Sequence, residues 1–272
     1  MPRPSLNQYN GPKELSYLFV DGGCLRKIFQ NFSDIFLDGR EIDINFEALG
    51  RRFSKVYYYD AIYVKKHNET QDEYEARIEP MVTNLQKIRM LDRYHVYEGD
   101  VRRRGKRGNE QKKVDVMIAV DMLSHTFHRN MHKATLLTND LDFKPLIDAL
   151  VQNGMDVELV FEPGFTNMDL ISSADKKSPM RPKALLSMVK NIEVEERNKF
   201  IPSERIKSLI DPSTVVWTKD DEKGTSWTLF EVDGIHNLQG EGNGVNIRYA
   251  FRDQEKLFLW LSKNEIVDFE SL

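Results

Sequence analysis

The sequence predicts an α/β protein: a mainly parallel sheet flanked by helices, followed by a small β-rich C-terminal appendage. Three observations predict it. Short apolar runs alternate with helical periodicity through residues 15–177, the pattern of a parallel sheet crossed by helices. Beyond residue 200, Trp217, Trp227, Phe230, Phe251, Phe258 and Trp260 lie among β-like runs broken by glycine-rich turns such as Gly240-Glu241-Gly242-Asn243-Gly244. Finally, Asp21, Asp115, Asp140 and Asp142 stand where strand-like runs end or a helix begins, and an open α/β sheet binds its ligands at the carboxyl edge of its strands.

Taken in order, residues 1–14 are polar with Pro and Gly and read as an arm, without the charged-then-apolar pattern of a secretory signal. Residues 16–20 form a short strand ending on Asp21-Gly22-Gly23, where glycine permits a tight turn and close backbone approach. A helix over 25–32 and another over 46–53 lead into 55–64, whose aromatic and β-branched bias marks a buried strand. Ile78, Met81, Val82, Leu85, Ile88 and Leu91 give an amphipathic helix over 69–93, and 94–101 alternates as a strand. A helix over 114–127, a strand over 134–138, a helix over 143–151 and a last strand over 157–161 come next. Asn153-Gly154 supplies a left-handed helix stop. A short helix spans 167–174, residues 178–199 read as a linker with a helix-like piece, and 200–272 form the β-rich domain.

Composition narrows the class. Of the 272 residues, 40% are hydrophobic and 30% charged, which is ordinary for a chain that buries a core. The net charge of −4 does not mark a general polyanion binder, so a nucleic acid would have to be met by a local patch. Cys24 is the only cysteine, which excludes an internal disulfide framework and a multi-cysteine zinc site, and fits a cytoplasmic setting. No apolar stretch approaches the roughly 18 residues of a membrane span.

The four aspartates carry the chemistry. Acids converging on one edge repel unless a cation lies between them, and Mg²⁺ or Mn²⁺ prefers oxygen ligands and supports work on phosphate esters. Asp21 closes Leu18-Phe19-Val20, where a turn-capping Asp is also common. Asp115 opens Val114-Asp115-Val116-Met117-Ile118, where an acid also suits the helix dipole. In Thr138-Asn139-Asp140-Leu141-Asp142-Phe143, Thr138 or Asn139 can bond the turn, Asp140 can face a metal and Asp142 can cap the next helix. Asp121 and Asp175 are further candidates for a supporting position. Between these segments, Arg102, Arg103, Arg104, Lys106, Arg107, Lys112 and Lys113 place seven basic residues against one acid just before Asp115. Such a run is ordinarily a solvated face, but its place beside the acids points to phosphate binding.

These segments, in this order, resemble the NYN domain, in the LabA-like branch of the PIN-like nuclease superfamily. The residues that carry the resemblance are Phe19 to Gly22, Lys112 to Val116 and Thr138 to Leu146, supported by 154–160 and 170–175. The chain departs from the usual pattern at Gly23, where Asn is frequent, and at Asn139, where Gly is more usual. The resemblance implies a PIN-like (Rossmannoid) fold and hydrolysis of RNA with Mg²⁺ or Mn²⁺. It also implies Asp21, Asp115, Asp140 and Asp142 as the metal-binding and catalytic acids. A binding or scaffolding module of the same fold, without turnover, is the reading from another class. A Toprim-type site at Glu98 and Asp140-Leu141-Asp142 would leave Asp21 and Asp115 without a task. His125, His128 and His132 share helical spacing but lack an accompanying acid or Cys pattern for zinc. RNA is the expected partner, a homo-oligomer is allowed, and residues 200–272 offer a place for an unidentified partner.

Overall fold

A strand whose two faces are both covered reads as a continuous apolar run rather than an alternation. That is the case for β1 (Ser16–Asp21), buried from Tyr17 to Val20, and it is followed directly by α1 (Gly22–Phe36). The chain then runs through α2 (Phe46–Gly50), β2 (Lys55–Ile62), α3 (Gln71–Arg89), β3 (Tyr94–Asp100) and two short strands, β4 (Arg102–Arg103) and β5 (Asn109–Glu110). α4 (Lys112–Phe127), β6 (Lys133–Leu137), α5 (Lys144–Gln152), β7 (Asp156–Phe161), α6 (Met168–Ser173) and β8 (Lys176–Pro179) complete the first sheet and its helices. The computed structural model describes residues 14–272 except 101, 104–108, 111, 206–208 and 271, and only the backbone at 100, 102–103, 109–110 and 112–113.

The strands form a six-stranded sheet in the order β3-β2-β1-β6-β7-β8, with every described pair parallel. The winding reverses between β1 and β6, because β2 and β3 are laid to one side of β1 and the later strands to the other. In an open parallel sheet that reversal opens a crevice at the carboxyl ends. Alternate residues of the central strands, such as Phe19, Tyr57, Leu136 and Leu159, pack against Ile118 and Met122 of α4 and Ile147 and Leu150 of α5. The four-residue spacing of Val114, Ile118 and Met122 sets the rotation of α4 and leaves Asp115 half-buried at its first turn. α3 packs against β2 and β3. Its start is a reciprocal cap: Thr70 Oγ1 accepts from Glu73 N–H and the Glu73 carboxylate accepts from Thr70 N–H.

Residues 157–161 are not the last strand of this sheet. β8 pairs in parallel with β7, Lys176 opposite Glu158 and Phe161 opposite Pro179. Its sequence, Lys-Lys-Ser-Pro, is polar with proline because β8 is an edge strand, where exposure and a missing donor are tolerated. Beyond β8 the chain forms two short helices, α7 (Pro182–Leu186) and α8 (Val194–Arg197), in place of the single helix-like piece expected there.

Residues 14–26 and 46–179 form one compact unit, and residues 27–45 and 180–272 form the other. In the second unit β9 (Ser203–Glu204), β10 (Val215–Asp220), β11 (Ser226–Val232), β12 (Ile235–Gly242) and β13 (Val245–Phe251) make an antiparallel sheet in the order β10-β11-β12-β13-β9. α9 (Gln254–Lys263) packs on β13, so Phe258 and Trp260 lie in a helix and not in the β-like run expected for them. The Asp253 carboxylate caps it by accepting from Lys256 N–H at 2.9 Å. Trp227 and Trp260 are buried core. Residues 41–45 are tied into this unit through Asn191, which accepts from Asp43 N–H and donates to the Glu41 carbonyl, and through the Ile44–Val189 bridge. Among the described residues no helix is long and apolar enough to cross a membrane.

Candidate functional site

Asp21 ends β1 and begins the turn into α1. Its Oδ1 accepts from Cys24 N–H at 3.0 Å, so the carboxylate also caps the helix. Gly22 is required beside it: a Cβ there would come within 2.7 Å of the Tyr58 ring and the Tyr59 carbonyl. The sheet places the end of β6 next to the end of β1, with Val20 opposite Leu137. Thr138 comes next, fully buried, and its hydroxyl joins the two strand ends. It donates to Asp21 Oδ2 at 3.3 Å and accepts from Asp140 N–H at 3.2 Å.

Asp140 and Asp142 are both exposed. The turn is a single 3-10 segment, Leu141–Phe143, and Asp140 caps it by accepting from Asp142 N–H at 2.9 Å. The capping role expected of Asp142 therefore belongs to Asp140. α5 starts after Phe143 with Pro145 in its first turn and no side-chain cap. This leaves Asp142 with no part in the cap.

Electrostatics bring the four acids together. Burial, followed by the charges of Asp21, Asp140 and Asp142, pushes the Asp115 carboxyl up to about 6. Burial also raises Asp21, and the charges of Asp60 and Asp140 add to the rise, while the bonds from Cys24 and Thr138 oppose it. Asp115, raised by burial and by three neighbouring carboxylates, marks a place short of positive charge. The donor set is oxygen only, which fits Mg²⁺ or Mn²⁺. Among the described residues no three His, Cys, Asp or Glu side chains converge closely enough to grip one ion. Mg²⁺ commonly keeps several waters and takes one or two carboxylates directly, so the acids fit such an ion in that mode.

Other expected positions fall differently. Asn139 Oδ1 accepts from Glu162 N–H and from the Thr166 hydroxyl, each at 2.9 Å, and so clasps the loop after β7 to the acid turn. Asp121 is not beside the other acids. It accepts from the Tyr59 hydroxyl at 2.7 Å, over a stack in which Tyr59 and Tyr97 lie 5.1 Å apart. Asp115 and Asp121 are six residues apart on α4, so the helix carries Asp121 toward the middle of the sheet. Asp175 belongs to the opposite edge. It precedes β8 and accepts from Val157 N–H at the start of β7, because a parallel strand must begin at the amino edge. Arg102 and Arg103 pair in an antiparallel ladder with Glu110 and Asn109, and Lys112 and Lys113 open α4. Arg104, Lys106 and Arg107 lie outside the described residues.

One neighbour of the site carries no motif. Asp60, 2% exposed in β2, forms an ion pair with Arg26 of α1 and accepts from the Tyr58 hydroxyl at 3.3 Å. Burial works against the Arg26 charge, but the Asp60 carboxylate outweighs it and raises the guanidinium pKa. A charge inside Tyr57-Tyr58-Tyr59-Asp60-Ala61 signals that a partner must exist. The sequence holds no signal that the partner is Arg26.

The family model for the NYN domain matches residues 18–180. The chain belongs to the NYN domain family. NYN is a PIN-like nuclease family, and the parallel sheet with flanking helices and a separate C-terminal antiparallel sheet agrees with a PIN-like α/β fold. Among solved structures the NYN chain is similar to the crystal structure of a protein of unknown function, VPA0982, from Vibrio parahaemolyticus. The two are 13% identical at a TM-score of 0.39, over 61% of this chain and 93% of the other. No curated protein matches it.

Proposed function

We infer that this NYN protein is a divalent-metal-dependent ribonuclease that hydrolyses RNA phosphodiester bonds, as an endonuclease, in the cytoplasm. The observation that carries this reading lies at the edge where the sheet reverses: burial and then the charges of Asp21, Asp140 and Asp142 raise Asp115, and burial with the charges of Asp60 and Asp140 raises Asp21. Asp21, Asp115, Asp140 and Asp142 would hold one or two Mg²⁺ or Mn²⁺ ions. When bound, these would supply an activated water, a polarised phosphoryl oxygen and a stabilised leaving oxygen. The Thr138 hydroxyl orients Asp21 and fixes the Asp140 backbone in the same contact. Asn139 holds the neighbouring loop, and the basic residues from Arg102 to Lys113 meet phosphates along the strand. No covalent nucleophile is needed, and Cys24 is assigned no role in the chemistry.

Purified protein incubated with single-stranded and structured RNA, in Mg²⁺, in Mn²⁺ and in EDTA, tests this. Cleavage is expected with either metal, and it is expected to be lost in EDTA and in Asp21→Asn and Asp140→Asn. Equal cleavage by those variants would assign the activity to a contaminant.

A second reading is a binding module of the same fold without turnover. That no three His, Cys, Asp or Glu side chains converge among the described residues favours it, and RNA bound tightly but left intact would decide for it. RNA is the partner in either case. The β-rich residues 200–272 would then select RNA or hold a further protein.

A further inference from the structure

We propose that Phe165 is a base-stacking residue, which receives a nucleobase of single-stranded RNA beside the acid turn. This rests on reading the acids as the centre that meets RNA phosphates.

The loop between β7 and α6 is locally determined. Glu162-Pro163-Gly164-Phe165 has the sequence and bonding of a type II turn: the Phe165 N–H donates to the Glu162 carbonyl at 3.3 Å, Pro163 fixes the second position and Gly164 supplies a φ of +84° at the third. The Thr166 hydroxyl, shared between Asn139 Oδ1 and the Glu162 carbonyl, then ties the turn to the segment carrying Asp140. These bonds hold the loop by its backbone and by Thr166, and they leave the Phe165 ring out of the clasp. Phe165 is 53% exposed. Met168, 71% exposed, and Leu141, 39% exposed, border the same edge, where the 3-10 turn contacts α6.

The sheet order fixes what lies next to this loop. β7 follows β6 and β1, so the loop is two strand spacings, roughly 10 Å, from the end of β1. A dry protein surface covering Phe165 would also strip water from Asp140 and Asp142, and burying unpaired carboxylates is costly. A single-stranded nucleotide would avoid that cost, because its phosphate side could meet the cations the acids would hold while its base covered the ring. Stacking on an aromatic side chain needs no particular base.

The test measures binding of a fluorescein-labelled single-stranded oligoadenylate and of a duplex RNA to the full chain, with Ca²⁺ as the divalent ion. Phe165→Ala is expected to weaken single-strand binding by about 5- to 150-fold, with duplex binding unchanged because its bases are already stacked. Phe165→Trp is expected to retain affinity within about twofold and to show tryptophan quenching by the oligonucleotide beyond that of the parent chain. Phe127→Ala, which removes a ring 67% exposed at the end of α4, is the surface control and is expected to change nothing. Single-strand affinity of Phe165→Ala within about twofold of the parent, equal losses on both RNAs, or no binding by the parent would each overturn the proposal. The nuclease reading fails separately: absence of metal-dependent cleavage, with a Phe165-dependent affinity intact, removes turnover and leaves the stacking residue in place.

Discussion

Asp115 is loaded by burial and by the charges of Asp21, Asp140 and Asp142. Its carboxyl is raised from 3.8 to about 6, so between those values the folded state binds more protons than the unfolded state. Stability in EDTA therefore falls as pH rises through that window, and the loss is complete above it. Asp115→Asn removes this term. In EDTA it is expected to raise the melting temperature by roughly a few degrees at pH 7.5 and by less at pH 4.5, measured by calorimetry. Addition of Mg²⁺ should stabilise the parent chain and not the variant. An equal shift at both pH values would show that the acids do not repel. Thr138 acts in the opposite sense, since its buried hydroxyl serves Asp21 and Asp140 at once. Thr138→Val keeps the shape but leaves the Asp140 N–H without that acceptor, and a cost of about 1–3 kcal/mol is expected from denaturant melts. Thr138→Ser should recover most of it.

At the scale of elements, the β1–α1 junction shows how backbone space limits the site. Gly22→Ala would drive a methyl to within 2.7 Å of Tyr58 and of the Tyr59 carbonyl, and one of those is backbone. The expected result is a loss of about 1–3 kcal/mol in urea melts, with RNA cleavage reduced because Asp21 is displaced. A variant as stable as the parent would mean that the strand end relaxes without cost. The Asp-Gly pair, the helix over 114–127 and the left-handed Gly154 at φ +81° were legible because each obeys a local rule of periodicity or turn chemistry. β8 was not legible: an edge strand of Lys-Lys-Ser-Pro has no apolar signature, and only its pairing with β7 defines it. α9 could have been found, because Asp253 caps a run that buries Leu257, Trp260 and Leu261 at helical spacing. The Asn139 clasp depends on two loops meeting at the sheet edge, and the Arg26–Asp60 pair on α1 meeting β2, which no single segment encodes.

For the whole molecule, the matched segment and the compact unit differ in one respect that bears on experiment. The NYN match runs from 18 to 180 without a break, yet residues 27–45 cluster with 180–272. Ile28, Phe29, Phe32, Phe36 and Leu37 are each at most 3% exposed. Phe36 meets Trp260 edge-on with ring centroids 5.2 Å apart, and Ile44 bridges Val189. A chain cut after Pro179 would retain this apolar run without those partners. Exposing a large apolar side chain costs roughly 1.5–3 kcal/mol. Several such losses rival the roughly 5–15 kcal/mol that holds a domain folded. The piece 1–179 is thus expected to bind the dye ANS, to aggregate on warming and to lack a sharp thermal transition, whereas the full chain melts cooperatively without binding dye. Phe36→Ala in the full chain separates this from damage at the cut. It should cost about 3–5 kcal/mol and shift the tryptophan emission of the second unit, with the Asp115 ionisation left as it was. A piece that melts sharply and ignores ANS would show instead that residues 27–45 complete the NYN fold without the C-terminal unit.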